Sequence, residues 1–278
     1  MGILESIIFG LIQGLTEFLP VSSSGHLALA LSLGTQQPSL LYTVLLHMGT
    51  LAAVFIVFRR DVRILIIGLF SLMGKVFTGK AHWESFNDGE RMAALIIVGT
   101  IPLFVAILFK SKLESLMGMP KAIGALLIVN AGILFLSDRI KAGRKNLGAA
   151  GPREAVGVGI VQAFAAIMPG ISRSGSTITG GLFLGFDREF AFRFSFLLSI
   201  PAVLGAGLMA TLSYISDVRA GAPALTGADV IAYAAGTAAA VIAGVAAIVL
   251  LKILMKRKKF SIFAAYCAIV GVLALILM

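Results

Sequence analysis

The chain has 278 residues, of which 59% are hydrophobic and 13% are charged, and its mean hydropathy is +1.01. A composition this apolar excludes an ordinary soluble domain and predicts an integral membrane protein. The net charge of +10 comes from basic residues that stand singly or in short clusters between apolar runs. That pattern is typical of loops at a membrane surface, and it argues against a nucleic-acid partner.

Two kinds of apolar segment alternate along the chain. Interrupted segments lie at 3–34 and 153–186. Uninterrupted runs that are long enough to cross a bilayer lie at about 41–58, 91–109, 120–137, 193–214, 229–251 and 260–278. The sequence therefore predicts an all-α polytopic membrane protein with six full spans in a single domain, 1–278. A shorter apolar segment, 62–77, contains Arg63 and Lys75 near its ends, and we expect it to lie along the membrane interface.

The two interruptions, Pro20–Gly25 and Pro169–Gly175, are rich in proline, glycine and serine. Such residues break a helix, and the freed backbone groups are tolerated at membrane depth only where they line a protein cavity. Each interrupted segment is therefore predicted to be a re-entrant hairpin of two short helices.

The interrupted segments also resemble each other. When one residue is inserted after the proline, Glu5, Gln13, Pro20 and Gly25 align with Glu154, Gln162, Pro169 and Gly175. This match predicts an internal repeat with halves at about 1–140 and 150–278. Three full spans separate the hairpins, and an odd number makes them enter from opposite faces, so the repeat has inverted topology.

The basic residues predict the orientation of the bundle. Loops on one side, 59–91, 138–153, 187–193 and 252–259, hold 18 of the 23 lysines and arginines. The opposite side, which also carries both termini, holds four: Lys110, Lys112, Lys121 and Arg219. Because cytoplasmic loops are the basic ones, we expect both termini on the periplasmic or extracellular side.

The first interruption combines an acid, hydroxyls and an imidazole. Gln13 and Glu17 are four residues apart, so they share a helix face just before the proline. A carboxylate at membrane depth needs a cation, a proton or a metal. The interruption then supplies Ser22, Ser23, Ser24, Gly25 and His26. Backbone N–H groups at the start of the following helix suit phosphate oxygens.

The second interruption supplies a cation in the same setting. Arg173 can contact a phosphate through two parallel hydrogen bonds. The hydroxyls around it are those of Ser172, Ser174, Ser176 and Thr177. Together the two interruptions predict one composite site that offers an acid, an imidazole, hydroxyls and a guanidinium to a phosphate group.

These residues also admit structural interpretations. Glu17 and Arg173 can form a buried ion pair without catalysis, and His26 can cap or pack against a helix. Ser22 and Ser24 can satisfy backbone groups at the break. His47, in the run 41–58, can be a hydrogen-bonded structural residue or can face the site.

The motifs QGLTEFLPVSSSGH, at 13–26, and PGISRSGST, at 169–177, resemble those of the undecaprenyl-diphosphate phosphatases of bacteria, the bacitracin-resistance family. The resemblance covers essentially the whole chain. The family motif accepts Glu or Gln at its first position, here Gln13, and requires Glu four residues later, here Glu17. Since Gln13 has no charge, Glu17 is left as the essential acid and the expected metal ligand.

The resemblance implies hydrolysis of undecaprenyl diphosphate in the bacterial inner membrane, which recycles the carrier lipid of peptidoglycan synthesis. It also implies a divalent metal, Mg²⁺ or Ca²⁺, and a site open to the periplasm. We expect Glu17, His26, Ser23 and Arg173 to be catalytic, with His26 as general base toward Ser23 or toward a water. The predicted substrate-binding residues are Gln13, Ser22, Ser24, Gly25, Ser172, Ser174 and Thr177.

One alternative class of function stays open at this point. Inverted repeats with broken helices also build secondary transporters, so the chain can be interpreted as a lipid or solute transporter or flippase. The expected partners are the bilayer and a prenyl diphosphate, and the sequence leaves a homodimer open.

Overall fold

The computed structural model of the protein describes residues 2–32, 39–109, 115–141, 143–221, 225–257 and 259–278. The α-helices are α1 (Ile3–Phe18), α2 (Ser23–Ser32), α3 (Leu40–Val57), α4 (Arg59–Phe77), α5 (Asp88–Thr100), α6 (Leu103–Ile107), α7 (Pro120–Arg139), α8 (Pro152–Ile167), α9 (Arg173–Phe183), α10 (Arg188–Arg219), α11 (Gly227–Lys256) and α12 (Ser261–Leu277). The described residues contain no β-strand, only an isolated bridge between Lys145 and Phe186. The all-α prediction is therefore confirmed.

Five helical segments are long and apolar enough to cross a membrane. They are α3, the stretch from α5 into α6 (Asp88–Ala106), α7, α10 and α11. These segments correspond to the first five predicted runs, which confirms a membrane protein with several spans. The sixth run, 260–278, forms α12, an apolar helix of 17 residues, and its crossing of the bilayer stays a prediction.

Helix α4 contains the segment that we expect at the membrane interface. It has 19 residues and begins with Arg59, Arg60 and Asp61. These charges, with Arg63 and Lys75 further along the helix, make α4 more polar than α3, and it is not among the five span candidates. Its interfacial position stays a prediction.

Both interrupted segments break where the sequence places proline and glycine. Helix α1 ends at Phe18 and α2 begins at Ser23, while α8 ends at Ile167 and α9 begins at Arg173. The four helices have 16, 10, 16 and 11 residues. At 1.5 Å per residue each is shorter than a bilayer core of about 30 Å.

Helix α1 packs closely against α11 through glycines. A Cβ atom at Gly10 would lie 2.0 Å from the carbonyl oxygen of Gly236, so only glycine fits where the two backbones approach. Small residues at helix interfaces are a common basis of packing in membranes, where apolar side chains gain little from leaving lipid. This contact holds α1, whose C-terminal end carries Glu17, against the long helix α11.

Replacing Gly10 with alanine should push α1 away from α11. The new methyl group meets a backbone carbonyl that cannot move aside, so we expect a loss of about 1–3 kcal/mol and a lower Tm. The matched control is Gly132→Ala on α7, where nothing lies within 4 Å of the added Cβ. Thermal unfolding in detergent measures both variants, and an equal Tm for the two would contradict this packing.

Candidate active site

The two interruptions lie against each other. The backbone N–H of Gly170 donates to the Ser22 hydroxyl at 3.2 Å, and the Ser174 hydroxyl donates to the Phe18 carbonyl at 3.1 Å. A Cβ atom at Gly25 would lie 3.0 Å from the Cα of Gly170. The interrupted segments, which are about 150 residues apart in sequence, therefore share one buried junction.

Asn130 joins the junction from α7. Its side-chain Nδ2 donates to the Pro20 carbonyl at 2.9 Å, and its Oδ1 accepts from the backbone N–H of Ser172 at 3.0 Å. Asn130 is completely buried. One amide thus satisfies a backbone group from each interruption, which a lipid environment requires.

A serine occupies the same place at the start of each second helix. The Ser22 hydroxyl accepts from the Gly25 N–H at 3.3 Å, and the Ser172 hydroxyl accepts from the Gly175 N–H at 3.1 Å. Ser22 holds a left-handed backbone with φ of +72°, a conformation that costs free energy for a non-glycine residue. These contacts give both serines the structural role of satisfying the backbone.

The residues that follow the capping serines, Ser23 and Arg173, both reach Glu17. The Ser23 hydroxyl donates to Glu17 Oε2 at 2.6 Å, and Arg173 donates to Glu17 Oε1 in an ion pair. Gln13 Nε2 donates to Oε2 at 3.0 Å, and His47 Nε2 lies 3.7 Å from the same oxygen. The structure therefore places the candidate nucleophile and the guanidinium against the one buried carboxylate of Glu17.

His26 has other partners. Its Nδ1 lies 2.8 Å from the Ser22 carbonyl oxygen, and its Nε2 lies 2.8 Å from the Tyr266 hydroxyl. The His26 and Tyr266 rings also stack, with centroids 5.5 Å apart. The imidazole is thus held toward α12 in this structure. Tyr266 has no signal in the sequence, whereas His47 was already a candidate to face the site.

A cavity of about 440 Å³ opens beside this cluster. The predicted site residues in its wall are Glu17, Ser22, Ser23, Ser24, Ser172 and Arg173. Much of the remaining wall is apolar and includes Leu27, Val44, Leu103, Ile171 and Val203. A space with a polar end and an apolar remainder suits an amphiphile with a phosphate head and a hydrocarbon tail.

The other predicted binding residues lie behind that wall. Thr177 donates from its hydroxyl to the Arg173 carbonyl at 2.8 Å, and its hydroxyl lies 2.6 Å from that of Ser195. The Ser174 hydroxyl is 3.1 Å from that of Ser172. Gln13, Gly25, Ser174 and Thr177 are buried, so their contacts support the cluster from within the protein.

A second cavity, of about 500 Å³, lies at the basic-loop side of the bundle. Its wall carries four carboxylates, those of Asp61, Asp88, Asp187 and Glu189, and Arg193 is paired there with Asp61. This excess of negative charge disfavours a diphosphate. The cavity beside Glu17 is the better candidate.

The donors available for a metal are hard oxygen atoms. In the part of the chain that the structure describes, no three His, Cys, Asp or Glu side chains converge on one point. Near Glu17 stand the Ser23 hydroxyl and the buried Gln13 Oε1, which has no hydrogen-bond partner among the described residues. One carboxylate with neutral oxygens suits a cation that binds mainly through substrate phosphates, as Mg²⁺ does.

Comparison with known proteins adds independent findings. The family described as bacitracin resistance protein BacA matches residues 6–273. An undecaprenyl-diphosphatase from Syntrophotalea carbinolica is 41% identical over 98% of this chain and 97% of its own. A protein with the same name from Methanosphaera stadtmanae is 41% identical over 100% of this chain and 98% of its own. Another, from Methanobrevibacter smithii, is 40% identical over 98% of this chain and 96% of its own.

Replacing Asn130 with leucine should loosen the junction between the interruptions. The change leaves the Ser172 N–H buried without a partner, and the Pro20 carbonyl keeps only the weak contact of the Cys267 thiol at 3.9 Å. We therefore expect a loss of about 2–4 kcal/mol. Val129→Ala, on the exposed side of the same helix, should change stability by less than about 0.5 kcal/mol. Thermal unfolding in detergent decides the point, and a wild-type Tm for Asn130→Leu would refute the bridging role.

Proposed function

Since the chain belongs to the BacA family of bacitracin resistance proteins, we infer that it hydrolyses undecaprenyl diphosphate to undecaprenyl phosphate and inorganic phosphate. The observation that supports this most directly is the cluster of Glu17, Ser23 and Arg173 in the wall of an amphipathic cavity. A cation, a hydroxyl and a carboxylate at one point suit phosphoryl transfer. The family match and this cluster do not favour the transporter hypothesis.

We propose that the six runs cross the membrane and that the two broken segments are re-entrant hairpins in inverted halves, about 1–140 and 150–278. The short lengths of α1, α2, α8 and α9 support the hairpins. The basic loops support external termini and a site reached from the periplasm. Of the basic residues assigned to the outer side, Lys110 and Lys112 lie outside the described residues.

We propose Ser23 as the nucleophile. Its oxygen forms a bond to the terminal phosphorus while the bond from that phosphorus to the bridging oxygen breaks, and undecaprenyl phosphate leaves. Water then hydrolyses the phosphoserine to give inorganic phosphate. Arg173 stabilises the negative charge on the transferring phosphoryl group.

Glu17 is the better placed acceptor for the Ser23 proton. The hydroxyl already donates to Glu17 at 2.6 Å, whereas His26 must leave Tyr266 to reach it. A bound diphosphate competes with Glu17 for Arg173, and loss of that ion pair leaves the carboxylate free to accept the proton. We retain His26 as the proposed base toward the water of the second step, which also requires its ring to turn.

We propose that a divalent cation, Mg²⁺ or Ca²⁺, binds at this site. Glu17 would hold it, with the substrate phosphates as further oxygen ligands. Such an ion neutralises charge on the phosphate oxygens. Association of two copies into a homodimer, which the sequence leaves open, stays a prediction.

Removal of either partner of the ion pair should abolish phosphate release from a prenyl diphosphate in detergent. We expect Arg173→Ala and Glu17→Gln each to lose at least about 10²-fold in kcat/KM, since a preorganised charge is lost. The control Glu5→Gln lies on the same helix, more than three turns away, and should retain activity. Wild-type rates in both site variants, with folding checked by Tm, would show that the chemistry lies elsewhere.

A different experiment distinguishes Ser23 from water as the nucleophile. Ser23→Ala should lose about 10³-fold or more in kcat if the serine attacks the phosphorus, and only about 10-fold if it merely positions a water. Acid quenching during turnover, followed by mass spectrometry, should find phosphate on the peptide that contains Ser23. A small loss without this phosphopeptide would exclude the covalent path.

A further inference from the structure

Gln162 on α8 is a buried amide with no role in the cluster described above. It is 1% exposed, and it stands in the wall of the cavity that also contains Glu17 and Arg173. Neither its Nε2 nor its Oε1 has a hydrogen-bond partner among the described residues. An unpaired amide is costly to bury, and in native proteins each such group calls for an explanation.

The sequence repeat shows why this amide is left unpaired. Gln162 aligns with Gln13, whose Nε2 donates to Glu17 four residues later. The residue four positions after Gln162 is Ala166. The second hairpin therefore keeps the amide but lacks the carboxylate that would accept its hydrogen bond.

The place of the missing carboxylate adjoins the cavity. Ala165 and Ala166 stand in the cavity wall together with Gln162, on one face of α8. Two small side chains leave room next to the amide, and Arg173 lies in the same wall. An anion that accepts hydrogen bonds would fill this room as the absent carboxylate would, and Arg173 in the same wall favours a negative charge there.

We propose that Gln162 is a substrate-binding residue whose side chain turns into the cavity and donates from Nε2 to a phosphate oxygen of the diphosphate. The phosphate oxygen thus accepts the hydrogen bond of Gln162 as Glu17 accepts that of Gln13. This inference rests on the proposed function, because it assigns the anion to the same substrate. The unpaired amide makes the rotation inexpensive, since no protein hydrogen bond is broken.

The test is Gln162→Met, which keeps the length of the side chain and removes both polar atoms. We expect KM for a prenyl diphosphate to rise about 10- to 100-fold with a smaller change in kcat, as for loss of a hydrogen bond to a charged group. The Tm should stay equal or rise, because a buried unpaired amide is removed. Inorganic pyrophosphate should raise the Tm of the wild type more than that of the variant.

Ser137→Ala provides the matched control. Ser137 is also buried, and its hydroxyl has no partner among the described residues, but it does not line this cavity. It should show wild-type KM and the wild-type response to pyrophosphate. Gln162→Glu serves as a second variant if the methionine variant fails to fold, and its carboxylate should raise KM by repelling phosphate.

The outcomes separate this inference from the proposed function. If the wild type releases phosphate and the Gln162 variants keep KM and the pyrophosphate response within about twofold of wild type, only the role of Gln162 is overturned. Absence of phosphate release by the folded wild type would overturn the proposed function, and this inference with it. A raised KM and a weakened pyrophosphate response in Gln162→Met, at unchanged Tm, is the result that we expect.

Discussion

The carboxylate of Glu17 ties the two halves of the chain together. It accepts hydrogen bonds from Gln13 and Ser23 of its own interrupted segment and pairs with Arg173 of the other. A buried charge is tolerated only with such partners, and removing one of them typically costs about 3–5 kcal/mol. The same carboxylate joins the two interrupted segments and holds the Arg173 guanidinium and the Ser23 hydroxyl in the cavity wall, so the packing of the segments and the proposed chemistry depend on one group.

The irregular backbone around this carboxylate is stabilised by the protein itself. Asn130 satisfies groups of both interruptions, and the Ser22 hydroxyl accepts from both Gly25 and Gly170. These contacts allow two chain breaks to exist inside an apolar bundle. They also rigidify the first residues of α2 and α9, which lets Ser23 and Arg173 reach the carboxylate from fixed positions.

Much of this arrangement follows from the sequence, because the signals are local. Apolar runs predict the long helices, proline and glycine predict the breaks, and Glu17 at membrane depth predicts a cationic partner. The partners that come from distant helices, Asn130 and Tyr266, could not be found in this way. An asparagine inside an apolar run signals a buried hydrogen bond, but its partners depend on how α7 is rotated. The direction of the His26 ring depends likewise on packing against α12, and periodicity does not determine either.

We propose that the two interrupted segments together bind one diphosphate beside Glu17. A structure of the protein with a prenyl methylenebisphosphonate, in which carbon replaces the bridging oxygen and prevents hydrolysis, tests it most directly. We expect the phosphonate groups beside Ser23 and Arg173, with Arg173 turned from Glu17 toward the ligand and the prenyl tail along the apolar part of the cavity. Phosphonate groups bound in the acidic cavity near Asp61, or contacting only one interrupted segment, would contradict this proposal.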